Sequence, residues 1–311
     1  MASASSLAER ATLAAPLLDL SIIIVSWNTG ALLRECLQSL EAELGSASAE
    51  VFVIDNDSGD GSADMVAQEF PWVKLTRNAD NRGFARANNQ AMRVCSGRKV
   101  LLLNPDTQVH PGAVSRLMEF LDTHPSAGIV APQLFNTDGS IQRSCRQFPS
   151  VFGMFSEFVG LSRLFPNNQA LRQYKMLDFD HNSECEVDQP EGACLMVRRE
   201  VIEQIGMLDE AYFMLFEEVD WCYRIKQAGW QIWFTPSAKV IHHHGQSIKQ
   251  VKARMIISSH RGMYRYWRKH QSRGLELLAP PAYAALMLLA IARIVAYWIK
   301  RSAGQLTSKQ G

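Results

Sequence analysis

The 311-residue sequence has no Cys-x-x-Cys pair, and its six cysteines (Cys36, Cys95, Cys145, Cys185, Cys194, Cys222) show no ligand-like spacing. That pattern excludes a zinc ribbon, a dithiol redox centre and a disulfide framework. Reduced thiols that act mostly as packing residues in a cytosolic setting are expected. An excess of charge of one sign is also missing. The formal net charge is +1, which argues against an electrostatic nucleic-acid binder. Neither G-x-G-x-x-G nor G-x-x-x-x-G-K-[ST] occurs, so neither a dinucleotide fingerprint nor a P-loop is indicated. Residues 1–18 are rich in Ala, Ser and Leu but lack a basic start followed by a sustained apolar core. They read as a disordered leader rather than a secretory signal. Long uninterrupted hydrophobic runs are absent as well. The longest, Leu277 to Ala292, contains Pro280 and Pro281 and is closed by Arg293, whereas a spanning helix needs ~20 apolar residues.

What is present is alternation. "LSIIIVSWN" is a short β-branched run, followed by "TGALLRECLQSLEAEL" with helical spacing. Strand-like "EVFVIDNDSGDGS", helical "SADMVAQEF", strand-like "WVKLTRN", helical "GFARANNQAMRVC", strand-like "KVLLLNPD", helical "PGAVSRLMEFLDTH" and strand-like "AGIVAPQLF" continue the rhythm. Strands alternating with helices predict an α/β fold built on a doubly wound, mostly parallel sheet with helices on both faces. After about Phe135 the rhythm breaks. "NTDGSIQ" reads as a hairpin turn, and the stretch from Arg143 to Gln189 is irregular, as functional lids often are. Regular structure returns with "GACLMVRREVIEQIG", a strand into a helix, then helical "FEEVDWCYRIKQAGW" and "QIWFTPSAKVIHHHG", read as two short strands.

Asp55 and Asp106 end the second and fourth strands. In a doubly wound sheet the carboxyl ends of parallel strands share one edge, where ligands bind. Each acid alone is ordinary turn chemistry. Together they point to a polar ligand such as a nucleotide with a divalent cation, for which Asp106 would be a hard oxygen ligand. Glu217, Glu218 and Asp220 crowd the start of a helix. There they complement the helix dipole, or, among the apolar neighbours Phe216, Val219, Trp221 and Cys222, they serve as general bases with raised pKa. Of the histidines at 242–244, His242 and His244 would share one face of a strand and His243 the other.

The motifs "SIIIVSWN", "VFVIDNDSGDGS", "NADNRGFARANNQAM", "LLLNPDTQVHPGAV", "GACLMVRREVIEQIGMLDEAYFMLFEEVDWCYRI" and "VIHHHGQS" occur in this order. In this the sequence resembles family 2 glycosyltransferases of the GT-A fold, in the rhamnosyltransferase-like branch, over about Leu20 to Lys269. The resemblance implies inverting sugar transfer from a nucleotide-sugar (a dTDP-, UDP- or GDP-sugar), assisted by Mg²⁺ or Mn²⁺. Residue by residue, it implies that Val25, Trp27, Asn28 and Asp55 hold the nucleobase, and that Asn81, Gly83 and Asn88 line the donor pocket. Asn-Pro-Asp stands in place of the family's Asp-x-Asp. Asp106 would therefore bind the metal, while Asn104, which supplies no charge, would hydrogen-bond sugar or ribose. Glu218 matches the family's base, with Glu217 beside it, and the pair departs from the family's Glu-Asp by one methylene. His242, followed by Gly245 and Ser247, matches a metal-ligating histidine.

The implied organisation is a leader, a catalytic domain at 19–248 (nucleotide half about 19–132, acceptor half about 133–248) and a helical C-terminal region at 249–311. The basic-aromatic run at 261–273 is expected to face anionic headgroups, and the apolar segment after it to lie in or on a membrane. The alternative is a helix packed on the catalytic domain. Membrane proximity implies a lipid-linked or glycan acceptor in surface polysaccharide assembly, on the cytoplasmic side of the plasma membrane. Two rival functions remain open: a nucleotidyltransferase acting on a sugar phosphate, and a non-catalytic nucleotide-sugar-binding membrane module. The first would want a Gly-rich basic loop that "SWNTGALLREC" lacks, and the acids at 106, 217, 218 and 220 argue against the second.

Overall fold

The computed structural model describes residues 18–44, 48–150, 168–243 and 251–307. Nearly all of the expected leader, the central part of the expected lid, His244, Gly245 and Ser247 lie outside the described residues.

The amino-terminal half follows the alternation closely. Strand β1 (Leu18–Ser26) leads into α1 (Gly30–Glu43), whose Leu33, Cys36, Leu37 and Leu40 repeat at helical spacing and are buried. Then come β2 (Ala49–Asp55), α2 (Ser62–Glu69), β3 (Lys74–Arg77), α3 (Phe84–Met92), β4 (Gly97–Leu103), the short β5 (Thr107–Val109), α4 (Ala113–Thr123) and β6 (Ala127–Phe135). The expected hairpin turn after β6 is present. Phe135 bridges Ile141, and the Asn136 N–H donates to the Ser140 carbonyl at 2.8 Å.

Beyond the turn lie β7 (Cys145–Arg146), α5 (Gln169–Tyr174), β8 (Cys185–Glu186), β9 (Gln189–Pro190), β10 (Cys194–Arg198), α6 (Arg199–Ile205), α7 (Glu217–Gln227), β11 (Gln231–His242), α8 (Lys252–His270) and, after a 3-10 turn at Glu276–Leu278, α9 (Ala279–Thr307).

The main sheet runs β3-β2-β1-β4-β10-β6-β11-β5, with β8 paired to β11. The strands β3, β2, β1 and β4 are mutually parallel, as are β6 and β11, but β10 enters antiparallel between β4 and β6, and β5 runs antiparallel to β11. The sheet is therefore mixed and mostly parallel, as expected, but the alternation did not show that an antiparallel strand, β10, would enter at its centre. Strand β10 carries the same apolar composition as its neighbours, so no periodicity reveals its direction.

A second difference is β11, one strand rather than two. Its register with β6 shifts between Thr235 and Lys239, a bulge that takes up Pro236, which has no N–H to donate. Both faces of the sheet are covered. One core cluster includes Leu20, Ile22, Leu33, Leu101 and Leu117, and the other Ile23, Leu102, Trp221 and Phe234. All six cysteines are free thiols, and burial pushes Cys36 and Cys145 up to about 12.

The C-terminal helices divide the two expectations for this region between them. Helix α8 packs on the domain, burying Met255, Ile256, Met263, Tyr266 and Trp267. Arg265 and Lys269 pair with Asp209 at 2.9 and 2.8 Å, and Lys269 and His270 reach Asp220 at 2.8 and 2.7 Å. Half of the basic side chains of the run, Arg265, Lys269 and His270, are thus engaged within the molecule, while Arg261, Arg268 and Arg273 stand exposed. Helix α9 turns back along α8, with Tyr283 against Tyr264 and Ala290 buried, but Leu277, Leu288, Ile291, Val295, Trp298 and Ile299 stand exposed. Pro280 and Pro281 do not break it. They occupy its first turn, where a missing N–H costs no helical hydrogen bond.

Candidate active site

The topology explains why residues far apart in sequence meet at one edge of the sheet. Ser26 pairs with Asp55, and Ile24 with Leu103, so the carboxyl ends of β1, β2 and β4 are level. Antiparallel β10 starts at that same edge, Cys194 opposite Leu103, and brings Glu191, Gly192 and Ala193 with it. Strand β5 folds back immediately after Asp106 and pairs with the carboxyl end of β11, Thr107 opposite His242. The Asp106 carbonyl accepts the His243 N–H at 2.8 Å. A cavity opens over this edge. Its walls include Val25, Trp27, Asn81, Gly83, Asn104, Asp106, Glu217, Glu218 and His242. Nine sequence-singled residues are thereby gathered into one site.

Asn28, Asp55 and Asn88 are not among the lining residues and have structural engagements. The Asp55 carboxylate accepts the Ser58 N–H at 3.0 Å and the Ser62 hydroxyl at 3.3 Å. Asn28, at φ 52°, donates its N–H to Ser58 Oγ and accepts the Gly59 N–H at 2.8 Å. Asn88 is buried on α3 and donates to the Phe84 carbonyl. The first two brace the loop after β2, while the Asn88 bond lies within α3. His243, on the opposite face from His242, lies 3.4 Å from Gln108.

Asp106 and His242 form the polar floor. Both are buried, and Asp106 Oδ1 lies 3.5 Å from His242 Nε2. The tautomer follows from Gln142. Its amide nitrogen faces two acceptors, the His242 carbonyl at 2.7 Å and Asn136 Oδ1 at 2.8 Å, so its oxygen must be the atom 3.1 Å from His242 Nδ1. Nδ1 is then the donor, and a neutral His242 turns the Nε2 lone pair toward the Asp106 carboxylate. Two acceptors face to face repel unless a cation or a proton lies between them. Cation ligands at ~2.1 Å sit roughly 3–3.5 Å from one another, so the pair fits a divalent metal, with Gln142 as the outer partner that sets the imidazole. Among the described residues no cluster of three or more His, Cys, Asp or Glu completes a cage.

Glu217 and Glu218 open the first turn of α7 and line the same cavity as this pair. One oxygen of each carboxyl, Oε2 in both, is buried without a hydrogen-bond partner. Burial raises both pKa values. A neighbouring carboxylate adds to the rise, Glu218 acting on Glu217 and Glu191 on Glu218. The turn that presents them is strained, since Leu215 (φ 73°) and Phe216 (φ 76°) are consecutive non-glycine residues in the left-handed region. Asp220, one turn further, serves a different purpose. Burial alone would raise its pKa, but hydrogen bonds from His270 and Lys269 and the charge of Arg224 hold it well below the carboxylate range. It ties α7 to α8.

Sequence reasoning missed Asn56, Glu191 and Arg254, all of which line the cavity. Arg254 was assigned to a C-terminal region set apart from the catalytic domain, and Glu191 belongs to the unexpected antiparallel approach of β10. Gly83 has a packing reason as well as a place in the wall. At φ 84°, a Cβ there would lie 2.3 Å from the Phe213 carbonyl oxygen.

Comparison with known proteins agrees with this geometry. The family model "Glycosyl transferase family 2" matches residues 21–206. An N-acetylglucosaminyl-diphospho-decaprenol L-rhamnosyltransferase of Mycobacterium tuberculosis is 32% identical over 79% of this chain and 82% of its own length. The low-salt glycan biosynthesis hexosyltransferase Agl10 of Haloferax volcanii is 27% identical over 72% of this chain and 67% of its own. Among solved structures, the mannosyltransferase PcManGT of Pyrobaculum calidifontis, in complex with GDP-Man and Mn²⁺, aligns over 94% of this chain and 83% of that one, with a TM-score of 0.53 at 18% identity. GalNAc-T7 with UDP, GalNAc and Mn²⁺ aligns over 72% of this chain and 44% of that one, with the same TM-score and identity. The shared fold is GT-A. The family match, the curated relative and the assembled site converge on one conclusion: the chain belongs to glycosyl transferase family 2 and is a glycosyltransferase.

Proposed function

We propose that this glycosyltransferase moves a deoxyhexose or hexose, by single inverting displacement, from a nucleotide-sugar to a lipid-linked glycan acceptor in surface polysaccharide assembly. The observation that carries the reading is the meeting of two sets of groups in one cavity. One is an acceptor-rich Asp106–His242 pair suited to a cation, and the other is a pair of carboxyls each with one buried, unpartnered oxygen. A divalent cation held by Asp106 and His242 would offset the charge that the leaving nucleoside diphosphate develops. Trp27 offers its ring to the nucleobase side, and Asn104 a hydrogen bond to the sugar or ribose. Glu218 takes the proton of the attacking acceptor hydroxyl, and Glu217 orients the acceptor beside it. No covalent sugar–enzyme intermediate is required.

The mycobacterial relative's name specifies a diphospho-polyprenol acceptor and a rhamnosyl product, which supports the lipid-linked acceptor and a deoxyhexose donor. The exposed apolar face of α9 supports work at a membrane surface. The stretch Glu276–Ile299, the 3-10 turn with most of α9, has a mean hydropathy of 1.9 and is 6% buried. The packing of α9 along α8, which is itself packed on the domain, supports a helix lying in the interface, and a nucleotide-sugar donor supports the cytoplasmic side.

The test is a panel of dTDP-, UDP- and GDP-sugars incubated with the protein and a diphospholipid-linked sugar, with and without Mn²⁺. Metal-dependent transfer from one donor is expected. Asp106→Asn should lose most activity and raise the metal requirement, and His242→Ala should weaken metal use more than His243→Ala. Turnover of Asp106→Asn that is unchanged across a Mn²⁺ titration would remove Asp106 from the metal site. Pyrophosphate release from a nucleoside triphosphate, without transfer, would point to nucleotidyl chemistry instead.

A further inference from the structure

The catalytic cavity does not end at the glutamates. Between the segment 211–215 and α8 a groove continues from it, sharing Phe213, Leu215 and Arg254 with the cavity and lined further along by Arg261 and Arg265. Arg254, Arg261 and Arg265 are spaced seven and four apart, which sets them within roughly 40° of one line along the helix. Two of them lie on aromatic rings. The Arg254 guanidinium is 4.3 Å from the Phe213 ring centroid, and that of Arg265 is 5.3 Å from Tyr212. Arg265 is neutralised by Asp209, which accepts two of its hydrogen bonds at 2.9 and 3.1 Å. Arg254 and Arg261 have no carboxylate partner among the described residues. Two uncompensated guanidiniums on one helix face, one of them already held flat by a ring, form a pre-organised fork for phosphate oxygens. Arg254 also lines the cavity that holds Glu217 and Glu218, and the helix that carries both arginines leads into apolar α9.

We propose that this groove binds the diphosphate of a polyprenyl-diphosphate-linked acceptor, with Arg254 and Arg261 as its principal ligands. The inference rests on the lipid-linked acceptor reading above and adds where the acceptor's charge is held. The reacting sugar then fills the cavity at Glu218, and its diphosphate lies beyond it in the groove. The prenyl chain leaves toward the exposed face of α9. Arg265 keeps the floor of the groove in place through Asp209 and Tyr212.

The test is equilibrium binding to the full chain in detergent micelles, with two probes: N-acetylglucosamine joined to farnesol through a diphosphate, and the same sugar and prenyl chain joined by an uncharged ether. The diphosphate probe should bind wild type at least tenfold more tightly than the ether. Arg261→Ala should remove most of that advantage, and Arg261→Glu all of it, while ether binding changes less than twofold. Arg254→Ala should act in the same direction. Circular dichroism of each variant guards against misfolding, and Arg261, being exposed, is the safer of the two positions. Equal loss for both probes, or diphosphate binding insensitive to both arginines, would overturn the proposal. So would a rise in the Kd of free nucleoside diphosphate matching that of the probe, because the arginines would then serve the donor. Since binding is read without turnover, arginine-dependent binding with no transfer to any lipid-linked sugar would support the groove and count against the proposed function alone.

Discussion

Glu217 and Glu218 follow one another on the first turn of α7, so their side chains leave the helix about 100° apart and cannot do the same work. Both reach the cavity, and both are buried carboxyls with raised pKa. Glu218→Gln keeps the shape and removes the proton acceptor, which should cut kcat by ~10²–10⁴ while donor affinity holds. Glu217→Gln should do less. Transfer rates and donor Kd for both variants check the assignment, and a deader Glu217→Gln would move the base by one position. In wild type the acidic limb of the kcat profile should lie above the ordinary carboxylate range, because the base must shed a proton that burial helps it keep. Stability moves in the opposite sense to activity. The folded protein holds the Glu217 proton more tightly than the unfolded chain does, so stability falls as pH rises from the unfolded carboxyl pKa, ~4.3, through the folded value. Glu217→Gln should therefore raise Tm at about pH 7.5, by roughly 2–4 °C for each kcal/mol recovered. The gain should vanish at about pH 4, a comparison that calorimetry at the two pH values makes directly.

At the scale of elements, what aims the glutamates is the contact between α8 and the strained turn before α7. Gly262 on α8 comes so close that a Cβ there would lie 2.9 Å from the Leu215 carbonyl oxygen and 3.2 Å from Phe216 Cβ. The Ser258 hydroxyl donates to the Met214 carbonyl at 2.7 Å one turn earlier. Left-handed backbone at Leu215 and Phe216 costs of order 1–3 kcal/mol each and persists only where its surroundings hold it. Gly262→Ala should push the helix and the turn apart by a few tenths of an ångström. A drop in kcat of about tenfold or more is expected, given that a 1 Å misplacement can cost about 10²-fold, with a smaller change in donor KM. Steady-state kinetics beside a melting curve decide it. A variant that melts earlier yet turns over like wild type would show that α8 supports the fold without aiming the base.

For the whole molecule, the division of labour between the two C-terminal helices makes a clean cut possible. Helix α8 belongs to the catalytic body, through Met263, Tyr266 and Trp267 in its packing and through the ion pairs of Arg265, Lys269 and His270. Helix α9 touches that body through few residues, among them Ala279, Ala282 and Leu286. Removing the chain from Leu275 onward should leave a folded, soluble enzyme that no longer sediments with anionic vesicles and that retains donor hydrolysis. An unfolded product would mean that α9 completes the core. Continued sedimentation would mean that another surface holds the membrane.

The sequence by itself determined the alternation of β1 to β6, the acids at strand ends, the helix that begins at Glu217 and the order of motifs that marks the family. All of these are local, written in periodicities of two and 3.6 and in short runs of neighbours. It could not determine the direction of β10, because a buried apolar strand looks the same from either end. It could not show that β5 folds back to place His242 beside Asp106, since strand pairing over such separations leaves no local mark. That Gln142 sets the His242 tautomer was likewise decided by a tertiary contact between residues distant in sequence. So was the fate of the basic-aromatic run. As composition it suits an anionic surface, and only the positions of Asp209 and Asp220 opposite α8 turned Arg265, Lys269 and His270 inward, because an ion pair depends on where the partner is and not on what the run contains.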